Sequence, residues 1–418
     1  MTNKKNRTAS FYTLGCRVNQ YETRAITEEF MNAGFEIKEF GQQSDICVIN
    51  TCAVTAESER KSAQLIRRAA KSADHVMVVG CFSEYKPDAA AVQPNVSYVG
   101  GAKDKSALVQ KALVMLGESA NNESEIYGIG HFPDSKIRGF VKIEDGCDGK
   151  CSYCIIPKLR GSVVLRDVSE IIEEVKRLSS MGCREIVLTG IEISAHDKLP
   201  QIIESVAAID GIERIRLGSL DPRVVDDRFL AAAQNKKFMP HLHISLQSAN
   251  NRILALMKRP YTKEMAAKRI EAALEAIPGL FISVDIISSF PSETMAELEE
   301  TVEFLKKYPI SHVHAFPYSP RPGTVAAEMK ELLNATEKKQ RHAFLLSESE
   351  KLCKKTLSTL IDTTQEILVE SGRNSFYTGC TENFAEVSFK SENDVVNKTV
   401  RILINGESDD GLTGVLIQ

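Results

Sequence analysis

Short apolar runs alternate with amphipathic helical stretches along most of this chain, and that alternation restricts it to a parallel α/β architecture. Within residues 7–117 the strand candidates are Ser10-Phe-Tyr-Thr-Leu14, Ile46-Cys-Val-Ile49 and His75-Val-Met-Val-Val79. Six more are expected at 139–143, 185–188, 214–217, 241–246, 281–287 and 312–316, with helices such as 168–178 and 295–305 between them. Six β/α units predict a partial barrel with its chemistry at the carboxyl ends of the strands. Helical sequence, including 346–355, runs on to about residue 355. Short β-rich pieces follow at 366–370, 384–389, 399–405 and 412–417, punctuated by Gly372, Gly379 and Gly406, and predict a small β-barrel. The expected organisation is an α/β domain over 7–117, a polar linker at 118–135, a barrel over 136–355 and a β-barrel over 356–418.

A chain of 418 residues exceeds one ordinary core, and 43% hydrophobic with 26% charged residues is a globular composition. No run approaches the ~18 apolar residues of a membrane span. The polar start, Met1-Thr-Asn-Lys-Lys-Asn-Arg-Thr8, has no signal core behind it, so a cytoplasmic location without membrane contact is expected. Ten cysteines in that compartment imply metal binding rather than a disulfide framework. Net charge is −4, and residues 357–418 alone carry 4 basic and 10 acidic side chains. Any contact with RNA must therefore come from local basic patches.

Cys147, Cys151 and Cys154 form a C-x3-C-x2-C run directly after Phe140-Val-Lys-Ile-Glu-Asp-Gly146. Three thiolates at that spacing can hold three irons of a four-iron cluster and leave the fourth open to an exogenous ligand. A zinc knuckle or a regulatory thiol group is the alternative, but zinc takes four ligands and the nearest histidines, His241 and His243, lie far downstream. Cys16, Cys52 and Cys81 each fall just past a predicted strand, where ligands of open α/β sheets sit. Either they converge on one metal centre or they are small residues buried where strands meet helices. Cys47, Cys183, Cys353 and Cys380 have no cluster spacing and read as core.

The three-cysteine run, with Tyr153 before its third member, resembles that of the radical S-adenosylmethionine (SAM) superfamily. Over nearly its whole length the chain resembles the methylthiotransferase family, which joins a three-cysteine domain, a radical SAM barrel and a TRAM β-barrel. The resemblance is carried by Leu14-Gly-Cys-Arg-Val-Asn-Gln-Tyr-Glu22, Asn50-Thr-Cys-Ala-Val-Thr-Ala-Glu-Ser-Glu-Arg-Lys61 and Val79-Gly-Cys81. Leu188-Thr-Gly-Ile191, His243-Ile-Ser-Leu-Gln-Ser248, Phe316-Pro-Tyr-Ser319, Arg321-Pro-Gly-Thr324 and Gly379-Cys-Thr-Glu-Asn-Phe384 add to it. These are most similar to the branch acting on N6-threonylcarbamoyladenosine in tRNA. Other branches modify isopentenyladenosine in tRNA or an aspartate of a ribosomal protein.

The resemblance implies two 4Fe-4S clusters, one on Cys147, Cys151 and Cys154 and one on Cys16, Cys52 and Cys81. One SAM would methylate a sulfur on the second cluster; another, at the open iron of the first, would yield a 5′-deoxyadenosyl radical. The methylthio group would pass to C2 of the base at position 37 of a tRNA anticodon stem-loop, with a flavodoxin or ferredoxin as electron donor and an unknown sulfur donor. Tyr153, Thr189, Gly190, Glu192, Ser245, Gln247 and Asp285 are the candidates for holding SAM. For RNA, the basic helix residues Arg60, Lys61, Arg67, Arg68 and Lys71 are candidates, of which Arg60, Arg67, Arg68 and Lys71 recur at near-helical intervals, and Arg160 and Arg166 follow the cysteine loop.

Two departures stand beside the resemblance. A Gly-Phe-Pro-Gly-Glu turn of the family reads Ser289-Phe-Pro-Ser-Glu293 here, so any position in it that needs a positive φ is strained. The acidic C-terminal barrel suits a basic protein substrate better than RNA, which keeps a ribosomal-protein aspartate as an alternative target. A non-catalytic iron–sulfur protein for RNA binding or electron transfer is the other alternative.

Overall fold

The computed structural model describes residues 7–118, 137–408 and 411–417. All of the stretch read as a linker except Glu118 lies outside them. The first sheet has five parallel strands in the order Glu36–Lys38, Thr8–Thr13, Ser44–Thr51, Ala73–Gly80 and Val96–Val99. The three foreseen strands form its centre, and the two short edge strands had no apolar run to announce them. The central runs are unbroken because both faces are covered by helices. Ile46, Val48, Met77 and Val79 pack with Ile26, Phe30 and Leu108 on one side. Cys47, Ile49, Val76 and Val78 pack with Ile66 and Ala69 on the other.

Six further parallel strands form a partial barrel: Arg138–Lys142, Glu185–Thr189, Arg214–Leu217, His241–Gln247, Phe281–Ser288 and Ile310–Pro317. Its two hydrogen-bonded groups meet where the chain passes from the third strand to Ser219–Leu220, which pairs with the fourth. The barrel is open between its first and last strands, and the helix Arg17–Asn32 packs on the first through Tyr21, Ala25 and Phe140. Alternation along each strand sorts two sets of side chains. Val141, Ile186, Leu188, Ile215, Leu242, Ile244, Val284 and Val313 pack outward against helices in the largest apolar core. The inward set is polar. Arg138, Glu185 and Arg216 stand at one level, and His243, Asp285 and His314 at the next. A fully closed (β/α)8 barrel fills this space with branched apolar side chains, so a polar lumen here is a cavity for a ligand.

The C-terminal residues form a closed five-stranded barrel in the order Thr364–Arg373, Phe376–Thr381, Glu386–Lys390, Gly411–Leu416 and Thr399–Ser408. Strand Phe376–Thr381 was not foreseen. Phe384, expected to open a strand, sits instead in a turn at φ +68°, and the strand begins at Glu386. That turn closes the N-terminal mouth of the lumen. Arg216 donates to the carbonyls of Thr381 and Glu382, both at 2.8 Å, while the Phe384 ring lies 4.9 Å from His241 and 4.7 Å from the Arg216 guanidinium. Glu370 binds Arg138 at 2.5 Å, so part of the domain's acidity answers cations of the barrel rather than solvent. The turn after the fifth barrel strand is left-handed at both serines, with φ +60° at Ser289 and +65° at Ser292.

Candidate metal and substrate centre

The first cysteine triad is assembled by sheet register. Thr13 pairs with Asn50, and Thr51 pairs with Gly80, so the chain leaves three neighbouring strands on one edge. Cys16 caps the helix Arg17–Asn32, Cys52 directly follows its strand, and Cys81 opens the short helix Cys81–Tyr85. Gly15 makes the approach possible: φ is +112°, and a Cβ there would lie 2.8 Å from Cβ of Cys52 and 3.0 Å from its sulfur. Asn19 ties two of the loops together, its amide donating to the carbonyls of Leu14 at 2.8 Å and Thr51 at 3.0 Å. Desolvation is the largest influence on the Cys16 and Cys81 thiols; it raises both, Cys81 to about 11, with the Arg160 charge opposing it. Cys16 is solvent-accessible yet strongly desolvated, so it lines a recess rather than the outer surface.

The second triad sits on the loop that leaves the first barrel strand. Gly149 N–H donates to the Cys147 sulfur at 3.2 Å, and an Arg259 N–H donates to the Cys151 sulfur at 3.3 Å. Ser152 anchors the loop, donating through its hydroxyl to the Leu256 carbonyl at 2.7 Å and accepting at its own carbonyl from Ala326 N–H at 2.8 Å. Burial raises the Cys154 thiol to about 12 and the Cys147 thiol in the same direction. Tyr153 packs edge-on to the buried Phe290 ring, 6.4 Å between centroids, so it supports the loop from beneath.

Both triads belong to one block. Ile155 and Leu159, just past Cys154, pack in the same apolar cluster as Cys81 and Phe82. Arg160 is 2% exposed and joins the domains, donating to Asn19 at 2.6 Å, Glu22 at 3.0 Å and Asp145 at 2.8 Å. Lys105 and Lys142 complete the ring around Glu22, and the three cations hold that buried carboxyl well below the usual carboxylate range. In neither triad do all three sulfurs lie within 4.8 Å of one another; among the described residues only His243, Asp285 and His314 present three such ligand atoms that close. Tetrahedral zinc with Zn–S near 2.3 Å holds its sulfurs about 3.8 Å apart. The triads fit a larger iron–sulfur cluster better than a single zinc ion.

The other predicted residues divide. Glu192 lies at the second triad: its charge raises the Cys147 thiol, and its N–H donates to Glu144 at 2.5 Å. Thr189 is buried at the end of its strand, and Gly190 lies against the Glu144 carboxyl, which burial raises to about 7. Ser245 accepts from Arg259 at its carbonyl at 3.2 Å, and Gln247 follows a register shift with φ +64°. Asp285 stands deeper, in the lumen, accepting from His243 at 2.9 Å and from the Ser219 hydroxyl at 3.0 Å. The expected RNA contacts at Arg160 and Arg166 are corrected by their burial partners. Arg160 is enclosed as above, and Arg166 donates to the fully buried Glu174 at 2.7 Å and to the Lys142 carbonyl at 2.7 Å. Neither offers a free guanidinium face to a phosphate. Arg60, Lys61, Arg67, Arg68 and Lys71 are all exposed, but Arg60 is held by Glu57 through two bonds of 2.8 and 2.7 Å. Arg67, Arg68 and Lys71 line an open groove with Gln64, Gln93 and Asn95.

Arg259 and the lumen histidines were missed. The histidines had a signal, since His241/His243 and His312/His314 repeat at an interval of two and so share one face of a strand. Burial lowers His312, and lowers His314 to about 4, so these imidazoles are neutral hydrogen-bonding groups near pH 7. Arg259 had none, because its contact with Cys151 spans 108 residues.

An open-sided parallel barrel with a three-cysteine loop on its rim defines a SAM-dependent iron–sulfur enzyme. The family model described as Radical SAM superfamily matches residues 141–305, and that described as Uncharacterized protein family UPF0004 matches residues 8–101. The chain is 34% identical to Threonylcarbamoyladenosine tRNA methylthiotransferase MtaB of Bacillus subtilis, over 95% of this chain and 93% of that protein. It is 30% identical to the tRNA-2-methylthio-N(6)-dimethylallyladenosine synthase of Aquifex aeolicus, over 97% of this chain and 98% of that one. The radical SAM methyltransferase TsrM from Kitasatospora setae superposes with a TM-score of 0.58 at 13% identity over 77% of each chain, a likeness of fold alone. The chain belongs to the radical SAM methylthiotransferase family and is a transferase working with SAM and iron–sulfur chemistry. Among the described residues no helix is long and apolar enough to cross a membrane.

Proposed function

We propose that this protein adds a methylthio group to C2 of N6-threonylcarbamoyladenosine at position 37 of tRNA, using two 4Fe-4S clusters and two SAM molecules. The observation that carries the reading is the joining of the two triads, through Arg160, Glu22 and Asp145 and through Ile155 and Leu159 beside Cys81. When bound, the clusters and SAM supply the electron, the adenosyl radical and the methylated sulfur that an unactivated aromatic C–H requires. In the overall change the C2–H bond breaks, a C2–S bond forms, and an external flavodoxin- or ferredoxin-type donor provides the electrons.

The chain's own residues position these parts. Cys147, Cys151 and Cys154 would hold the SAM-binding cluster, and Cys16, Cys52 and Cys81 the other. Glu192, with Thr189 and Gly190 beside it, would bind the SAM amino group, a role supported by the action of its charge on Cys147. Arg259 donates to Cys151 and would stabilise its thiolate. Names of relatives that act on threonylcarbamoyladenosine support the tRNA target. Nucleoside mass spectrometry of tRNA from a deletion strain tests it. Loss of 2-methylthio-N6-threonylcarbamoyladenosine is expected, and an unchanged profile would sink the proposal. Anaerobic preparations are expected to hold about eight irons per chain, falling to about four when Cys16, Cys52 and Cys81 are replaced together.

A further inference from the structure

Among the described residues the lumen carries a cation that no carboxylate binds directly. Arg17, the residue after Cys16, lies half-buried with its guanidinium 6.0 Å from the Phe140 ring, over the inner face of the first barrel strand. It feels the charges of Arg138, Arg216, Glu185 and Asp285. Each of those is already engaged. Glu185 is bound by Arg138 and by Arg216 at 2.9 Å, Arg138 is bound by Glu370, and Asp285 is held by His243 and Ser219. Among the described residues Arg17 makes no hydrogen bond or ion pair. A guanidinium left so in a recess is costly unless a ligand anion completes it. Arginine suits a planar carboxylate, which it binds through two parallel N–H bonds.

We infer that Arg17 is the carboxylate-binding residue of the lumen and receives the threonyl carboxylate on N6 of the target adenosine, while the imidazoles of His243 and His314 face the polar remainder of that side chain. The inference rests on the proposed tRNA reading and adds to it a physical basis for target choice. An apolar N6 substituent would leave Arg17 desolvated without a partner, and sites built around hydrogen bonds reject analogues that lack them. The carboxylate of SAM is the other anion with this chemistry, and the experiment separates the two.

Dissociation constants of the cluster-loaded protein would be measured for anticodon stem-loops carrying threonylcarbamoyladenosine or plain adenosine at position 37, with wild type, Arg17→Met and Arg17→Lys. Wild type should prefer the carboxylate-bearing RNA by roughly 10- to 100-fold, the range of one charge-assisted pair. Arg17→Met should erase the preference and leave the plain RNA unchanged, and Arg17→Lys should keep part of it. An undiminished preference in Arg17→Met, or equal weakening on both RNAs, would overturn the inference. So would a raised SAM requirement for RNA-independent 5′-deoxyadenosine release, because Arg17 would then serve SAM. If wild type fails to methylthiolate threonylcarbamoyladenosine at all, the function reading falls instead.

Discussion

Ser289 and Ser292 occupy backbone positions that favour glycine, and the consequence can be worked from the structure. Both lie in the left-handed region, at φ +60° and +65°, where a side chain costs about 1–2 kcal/mol per residue. Ser289 bears a second cost, since its hydroxyl is buried without a partner, which adds about 1 kcal/mol or more. Its N–H donates to Glu293 at 2.7 Å, a bond that glycine keeps. Against relief of both terms stand roughly 0.5–1 kcal/mol of extra chain entropy in the unfolded state and a little lost packing. Ser289→Gly should therefore stabilise by about 1 kcal/mol. Ser292→Gly should gain less, because its exposed hydroxyl accepts from Arg252 at 3.2 Å and carries no burial penalty. Ser289→Ala separates the terms by removing the hydroxyl and keeping the Cβ. Thermal unfolding of the anaerobic protein, followed by circular dichroism, should place Ser289→Gly about 2–4 °C above wild type, with Ser289→Ala between them. A glycine variant that melts lower than wild type, or no higher than the alanine variant, would refute the strain argument. The turn bears on the site because it seats Phe290 beneath Tyr153, between the second and third cysteines of the loop.

Three further outcomes are expected. Replacing Glu22 by Gln leaves Arg160 and Lys105 buried beside a neutral group, so the joint between the domains should lose roughly 3 kcal/mol and open to limited proteolysis; unchanged cleavage would argue against it. Glu293 is raised to about 7 by burial, above its unfolded value, so its carboxyl favours the fold at low pH and that contribution is lost as pH rises from about 4.5 through 7. Glu293→Gln should flatten that part of the stability–pH curve and raise stability at pH 8 by up to about 3 kcal/mol, read from melting at both ends of the range. Neutralising Arg67, Arg68 and Lys71 together should weaken tRNA binding and reduce the slope of log K against log salt by about 0.7–0.9 per lost phosphate contact. Arg60→Ala should change that slope little, because Glu57 already holds Arg60.

The sequence by itself determined the central strands of the first sheet and the six strands of the partial barrel, which depend on local pattern. Apolar runs bounded by turns marked the central strands, a period of two gave the lumen its polar face, and glycines after strands marked where Cys16 and Cys81 leave the sheet. Serine in place of glycine at 289 and 292 foretold strain, and both positions have the left-handed backbone. The convergence of Cys16, Cys52 and Cys81 was open from spacing alone, since parallel register between strands 29 and 37 residues apart brings them to one edge. Only the tertiary structure decided the fate of individual charges. Arg160 and Arg166 read as basic residues after the cysteine loop, yet Glu22, more than a hundred residues before Arg160, and Glu174, on the helix that follows Arg166, enclose them. The docking of Phe384 into the mouth of the barrel, the bond from Arg259 to Cys151 and the isolation of Arg17 had no sequence signal of their own. A charge is defined by the partners that fill its surroundings, and in this chain most of those partners arrive from other strands and other domains.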